Sequence, residues 1–293
     1  MPEKVSDTFC AKHPVGRPGK RCLTPFLRPA VLAIGAHPDD IEFMMAGTLI
    51  LLGRSGWRLH CLNLADGSCG TATMGAREIA AVRLREARAA CRLIGAKHWP
   101  PVARDLQLYH TTATVARVVA VIRRVRPRIV LAQSPTDYME DHVNACRIAV
   151  TAAFARGMPN FPCRPRVAPI GDEVTVYHAL PYGLRDPLRR KLRAGQYADI
   201  TGVLAEKRAM LACHASQRQW LDVSQGLDAY LKAMAAMGRE VGRMSGRFRH
   251  AEGWRRRSHL GFSAADADPL GEALGELGLT DRRYEAGLER PPR

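Results

Sequence analysis

The sequence predicts an α/β fold: a Rossmann-like, mostly parallel sheet with helices on both faces. Three observations predict it. From residue 29 onward, short apolar runs of strand length alternate with stretches of helix length, the pattern of β-α-β units covered on both faces. The apolar runs at 31–35 and 129–132 are continuous rather than alternating, as strands buried on both sides are. Both runs lead directly into loops rich in His and Asp. In open parallel sheets, ligands bind beyond the carboxyl ends of the strands, where the strand order reverses.

Taken in order, residues 1–27 carry Pro, Gly, Lys and Arg with little periodicity and are expected to form a flexible basic lead-in. Residues 31–35 make the first strand. Residues 42–52 read as one small apolar helix that stops near Gly53. The second strand is expected at 59–64. The clearest helix is 76–93, with Ile79, Val82, Leu84 and Ala87 as its apolar positions and a stop at Gly95. Another helix spans 115–125 and is ended by Pro127. A strand at 129–132, a helix at 143–154 and a strand at 174–177 follow. After about residue 200 the chain turns helical, at 203–212 and 221–244. Met234, Met237, Val241 and Met244 share one face of the last helix, a stripe read as core packing in preference to an interaction surface. One domain is expected over 28–262, with 263–293 as a tail.

The composition narrows the function classes. At 293 residues the chain is long enough to bury a core without disulfide staples. No apolar run reaches eighteen residues, so no membrane span is expected. The basic N-terminus lacks the apolar segment of a secretory signal, which makes cytoplasmic residence the expectation. Eight cysteines occur without a C-x-x-C pair, so they read as reduced thiols, not as a zinc cage. The net charge of +16 attracts anions of many kinds. Its Arg clusters carry no zinc-finger, basic-zipper or RNA-recognition signature, and a solvated basic surface is preferred to a nucleic-acid surface. Glycine-rich phosphate loops are absent, and Asp39 and Asp40 would repel a phosphate after the first strand.

The chemistry lies in two loops. The first holds His37-Pro38-Asp39-Asp40. A catalytic zinc takes three His or carboxylate ligands and keeps one position open. His37 and Asp40 can converge on one ion across a tight turn. Asp39 is then left facing the open position as a base, for water whose pKa zinc lowers from about 15.7 to about 7. The competing reading is that either carboxylate simply caps the following helix. The second loop ends in Asp141-His142. His142 is the candidate third ligand, and Asp141 could orient its imidazole or cap a helix. Matched strand ends bring the two loops together and place a metal site at that edge of the sheet.

These residues carry a resemblance. Ala36-His-Pro-Asp-Asp-Ile-Glu42, with the later Asp137-Tyr-Met-Glu-Asp-His142, resembles the LmbE-like (PIG-L) family of zinc-dependent de-N-acetylases. Arg83-x-x-Glu86 and His214-Ala-Ser-Gln217 agree with it, and the likeness covers roughly residues 30 to 262. It implies zinc on His37, Asp40 and His142, with Fe2+ or another divalent ion compatible with the same ligands, and Asp39 as general base. It further implies a sugar contact at Arg83 and a substrate-binding or polarising role at His214. The implied reaction is hydrolysis of the N-acetyl group of an N-acetylglucosamine-containing small molecule or glycoconjugate, for which the basic surface is compatible with an anionic form. Assembly of copies through the helical C-terminal part is a further expectation. Alternatives are cleavage of another amide, in an amino-sugar thiol conjugate or an acylated secondary metabolite, and an inactive sugar-binding member. Trp220, Trp254 and residues 255–257 are candidates for lining the pocket. One position departs from the pattern: Met139 stands where many members have a His thought to stabilise the oxyanion or protonate the amine. His214 or Asp137 could take over that role, or Asp39 could itself shuttle the proton to the amine.

Overall fold

The first apolar run folds as β1, Ala30–Gly35, with every residue buried. In this computed structural model, which describes residues 28–217 and 229–289, β1 lies inside an eight-stranded sheet. It pairs in parallel with β2 (Arg58–Asn63) on one side and β4 (Ile129–Ala132) on the other. β3 (Lys97–Trp99) adds beside β2, and β5 (Thr175–Ala179) beside β4, both in parallel. The chain thus builds outward from β1 to β3 and then returns to the other side of β1. That reversal opens a crevice at the carboxyl ends of β1 and β4.

Alternate residues of the strands feed two cores. Val31, Ala33, Leu59, Cys61, Ile129 and Leu131 face one side. They are covered by α1 (Asp40–Met44), α2 (Ala46–Arg54), α3 (Ala76–Leu93), α6 (Leu204–Ala212) and α7 (Ala229–Ser245). Leu32, Ile34, Leu62, Val130 and Ala132 face the other side, against α4 (Thr112–Val125) and α5 (Glu140–Phe154). Met234 and Val241 are buried and Met237 and Met244 pack at the edges of the core, so the stripe on α7 is core. No helix among the described residues is long and apolar enough to cross a membrane.

Four sequence expectations need correction. The single helix at 42–52 is two helices that break at Met45, whose φ of −132° is not helical. The helix expected from 143 starts at Glu140, which puts His142 in its first turn. The sheet also gains four strands that periodicity did not reveal: the short parallel β3, and β6 (Gln196–Asp199), β7 (Ala251–Arg256) and β8 (Gly278–Thr280), the last three antiparallel to their neighbours. Finally, residues beyond 262 are not a loose tail. β8 pairs with β6, and α8 (Pro269–Leu274) buries Leu270 and Leu274 in the core. Asp268 accepts a hydrogen bond from the Tyr177 hydroxyl at 2.7 Å and caps α8 through Gly271 N at 3.1 Å. Residues 1–27 and Trp220 lie outside the described residues.

Candidate metal centre and active site

β1 delivers His37, Asp39 and Asp40 to the crevice, and the segment after β4 delivers His142. One ligand atom from each of His37, Asp40 and His142 lies within 4.8 Å of the others, and all three residues are buried. Two ligand atoms on a tetrahedral zinc with bonds of about 2.0–2.1 Å lie roughly 3.3 Å apart. His142 Nε2 and Asp40 Oδ1 are 3.4 Å apart. The far side of each ligand is already occupied. His37 Nε2 donates to Asp141 Oδ2 at 3.1 Å, and His142 Nδ1 faces Asp137 Oδ1 at 3.0 Å. Asp40 Oδ2 accepts from Ala36 N at 3.0 Å, His37 N at 2.7 Å and Gln133 Nε2 at 2.8 Å. His37 Nδ1, Asp40 Oδ1 and His142 Nε2 are therefore the atoms left to converge, which is how outer carboxylates orient metal ligands. The donor set fits zinc and also suits other divalent first-row ions.

Asp39 is arranged differently. It stands at the N-cap position of α1, yet its side chain makes no cap hydrogen bond, and its φ is 112°. A non-glycine residue in that region is strained and marks a site held by its surroundings. Its Oδ2 accepts from the Tyr230 hydroxyl at 2.7 Å and lies 3.3 Å from Arg83 Nη2. The helix-cap reading of both carboxylates therefore fails.

The adjacent acids are pushed apart. Burial raises the Asp39 carboxyl above its ordinary range, against the opposing pull of Arg83. Burial also acts on Asp40, but His142, His37 and the His37 N–H overcome it and hold that carboxyl low. Such a split separates an acid/base group from a permanently charged one. Burial disfavours charge on His142 too, yet Asp40 and Asp137 hold its pKa up to about 9. A metal must displace that proton. Metal affinity should accordingly rise with pH, by about tenfold per unit per proton released, between about pH 6 and pH 8. A competitive chelator titration at several pH values measures the slope; a flat line would remove His142 from the ligand set.

Arg83 is not a surface residue of α3. It is buried, donates to Pro38 O and lines the pocket. Gly67, at φ +80°, admits it: a Cβ there would come within 2.5 Å of Arg83 Cδ. The segment around His214 clamps this helix. Ser216 donates to Glu86 from N at 2.9 Å and from Oγ at 2.7 Å, and Gln217 Nε2 donates to Gly70 O at 2.8 Å.

Two expectations for substrate contacts are corrected. Asp137 is wholly buried behind His142, and His214 is wholly buried with its Nε2 3.4 Å from Glu42 Oε2. Neither lines the pocket, so neither stands in for the His absent at Met139. Asp141 orients His37, not His142. Trp254 is a core residue donating to Thr48 Oγ1 at 3.0 Å, and Arg255 donates to Ser134 Oγ at 2.8 Å.

The pocket itself has a volume of about 410 Å³, ample for a small ligand. Met139 lines it, as do Phe43, Tyr138, Tyr182 and Tyr230. Their rings form a wall: Tyr230 to Phe43 at 5.6 Å, Phe43 to Tyr182 at 5.3 Å, Tyr182 to Tyr138 at 6.2 Å, and Tyr138 edge-on to His142 at 5.6 Å. Sequence reasoning missed Tyr230, Tyr182 and Gln133. Gln133 alone left a signal, as the polar residue that ends the β4 run.

The chain is similar to several known proteins. Residues 32–154 match the family model for PIG-L, the GlcNAc-PI de-N-acetylases. A diacetylchitobiose deacetylase from Thermococcus kodakarensis is 32% identical over 231 residues, which cover 77% of this chain and 82% of that protein. A 4-oxalmesaconate hydratase from Pseudomonas putida is 28% identical over 218 residues, 72% of this chain and 81% of that one. In structure, the N,N'-diacetylchitobiose deacetylase from Pyrococcus horikoshii superposes with a TM-score of 0.67 at 23% identity, covering 79% of this chain and 84% of its own.

Proposed function

From the premise that this chain belongs to the PIG-L family of de-N-acetylases, we propose that it is a zinc-dependent hydrolase that removes the acetyl group from an N-acetylglucosamine-containing small molecule. The observation that carries the reading is the division of labour between adjacent carboxyls. Asp40 lies with His37 and His142 where their ligand atoms could hold one ion, while Asp39 stands apart from them beside Tyr230 and Arg83.

A bound zinc supplies Lewis acidity toward the acetyl carbonyl and lowers the pKa of water. Asp39 does the proton work. Tyr230 and Arg83 occupy Oδ2, so Oδ1 is the oxygen that takes a proton from the attacking water. The same carboxyl then returns that proton to the leaving amine, a role that needs no His at Met139. Burial, which raises the Asp39 pKa, favours the first half of this transfer, the uptake of the water's proton. The aromatic wall gives the sugar an apolar face.

The substrate in this reading is a neutral glycan. Among the described residues that line the pocket, Arg83 is the only guanidinium or ammonium group, and Pro38 O and Asp39 already hold it. A polyanionic oxo-acid, as the hydratase relative's name implies, finds little to neutralise it there. The expected preference for neutral over phosphorylated sugars sets aside the anionic substrate that the basic surface allowed.

The test is acetate release from N-acetylglucosamine and its disaccharide, measured with metal content before and after chelation. About one metal per chain, acetate release lost on chelation, and recovery with zinc would support the proposal. Recovery with Fe2+ but not zinc would change the metal. Bound metal without acetate release, together with water addition to an unsaturated dicarboxylate, would place the activity with the hydratase instead.

Tyr230→Phe is expected to keep metal and KM and to lower kcat by roughly ten- to a hundredfold, the worth of one hydrogen bond to a charged group. Steady-state kinetics check this. A rise in KM at constant kcat would make Tyr230 a sugar contact instead.

A further inference from the structure

After β5, the segment that contributes Tyr182 to the pocket continues into a hairpin that no part of the proposed reaction uses. Leu184 and Leu192 close its base, with Leu192 N donating to Leu184 O at 2.9 Å, and Arg185 bridges to Lys191. Asp186 holds the tip by accepting from Leu188 N at 3.0 Å and Arg190 N at 2.8 Å. Arg185 Nη1 adds a bond to Arg189 O at 2.8 Å.

On this fixed tip, Leu188 is 85% exposed, the most exposed large apolar side chain among the described residues. Arg185, Arg189, Arg190, Lys191 and Arg193 flank it along the chain, all exposed. Of these, only Lys191 has a carboxylate ion pair among the described residues, with Glu240. Asp186 is engaged by backbone N–H groups, and Glu240 of α7 is shared between Lys191 and Arg243. The tip thus joins one projecting apolar side chain to a cluster of positive charge along the same short hairpin.

We propose that residues 184–192 form a docking surface for an anionic phospholipid bilayer. Leu188 enters the acyl boundary while the surrounding cations meet the phosphate headgroups. A bilayer rewards both halves of the motif, apolar burial and positive charge. A nucleic acid would reward the cations alone, and the tip offers no aromatic ring for a base to stack on. Since Tyr182 lies on the same segment and lines the pocket, docking here would bring the pocket mouth near the lipid surface.

The experiment is sedimentation of the full chain with vesicles of phosphatidylcholine plus phosphatidylglycerol, against vesicles of phosphatidylcholine alone. Binding is expected only to the anionic vesicles, and it should weaken with salt. Reversing two charges, Arg189→Glu with Arg190→Glu, should weaken it by roughly thirty-fold or more. Leu188→Asp should also weaken it, whereas Leu188→Phe should preserve it. Acetate release from a soluble disaccharide should be unchanged in each variant, which separates docking from folding and from the deacetylase reading. No binding to anionic vesicles would overturn the proposal. So would wild-type binding by the double reversal, since it would put the contact on another basic surface. DNA retention that needs Arg189 and Arg190 but not Leu188, without vesicle binding, would make this a nucleic-acid surface and would overturn it too.

Discussion

Asp39→Asn is expected to keep its metal and to lose acetate release by roughly two to four orders of magnitude, the usual contribution of a general base. Asparagine is the informative replacement because it tolerates positive φ better than most residues, and Asp39 sits at φ 112°. Its amide oxygen can still accept from Tyr230 and Arg83, so the loop should hold its shape. What it cannot do is take a proton at the position of Oδ1. Metal content should match wild type because His37, Asp40 and His142 are untouched. Kinetics and metal analysis on one preparation check both halves. Retention of more than about a tenth of wild-type kcat would contradict the base assignment. Loss of metal along with activity would show that Asp39 acts on the ligands.

The second large effect concerns stability. Glu252, on β7, is buried at 4% exposure. Its carboxylate accepts from Gly47 N at 2.8 Å, Thr48 N at 2.7 Å, Thr48 Oγ1 at 2.6 Å and Lys207 Nζ at 2.6 Å. It thus caps α2 from across the molecule, where Met45 supplies no side-chain cap, and pairs the buried Lys207. Gly47 is required by this approach: a Cβ there would meet Glu252 Oε1 at 2.9 Å and Ile200 Cγ2 at 2.4 Å. Removing one partner of a buried pair leaves the other charge uncompensated, at about 3–5 kcal/mol. Glu252→Ala should therefore lower the midpoint of thermal unfolding by roughly 6–20 °C for a chain of this size. Calorimetry decides; a shift of a degree or two would mean that water or rearrangement satisfies Lys207. Asp39→Asn should move the same midpoint far less, so the two substitutions separate catalysis from folding.

The catalytic loop was legible because its chemistry is local. His37-Pro38-Asp39-Asp40 follows a strand directly, and a strand end in a parallel sheet has one destination, the carboxyl edge. His142 was legible for the same reason, one strand along. The roles of Asp137, Asp141 and His214 were not. Both acids lie within five residues of His142, yet Asp137 backs His142 and Asp141 backs His37 across the crevice. Which imidazole each carboxylate meets depends on how β1 and β4 align, and sequence spacing does not carry that. His214 belongs to a family-like string and was expected in the pocket. Its partner is the buried Glu42.

By itself, the sequence determined the five parallel-strand region except the three-residue β3, the core stripes, the candidate metal-ligand trio and the carboxylate beside it. These follow from apolar periodicity and from residue types packed into short loops, both readable within a few turns of chain. Only the tertiary structure decided the antiparallel edge, the folded segment beyond residue 262 and the break at Met45. It also decided that Tyr230, some 190 residues away, holds Asp39. The break at Met45 shows why. Local pattern favoured one continuous helix, but a carboxylate 205 residues distant takes the N–H of Gly47, and a helix start is fixed by whatever satisfies its first donors.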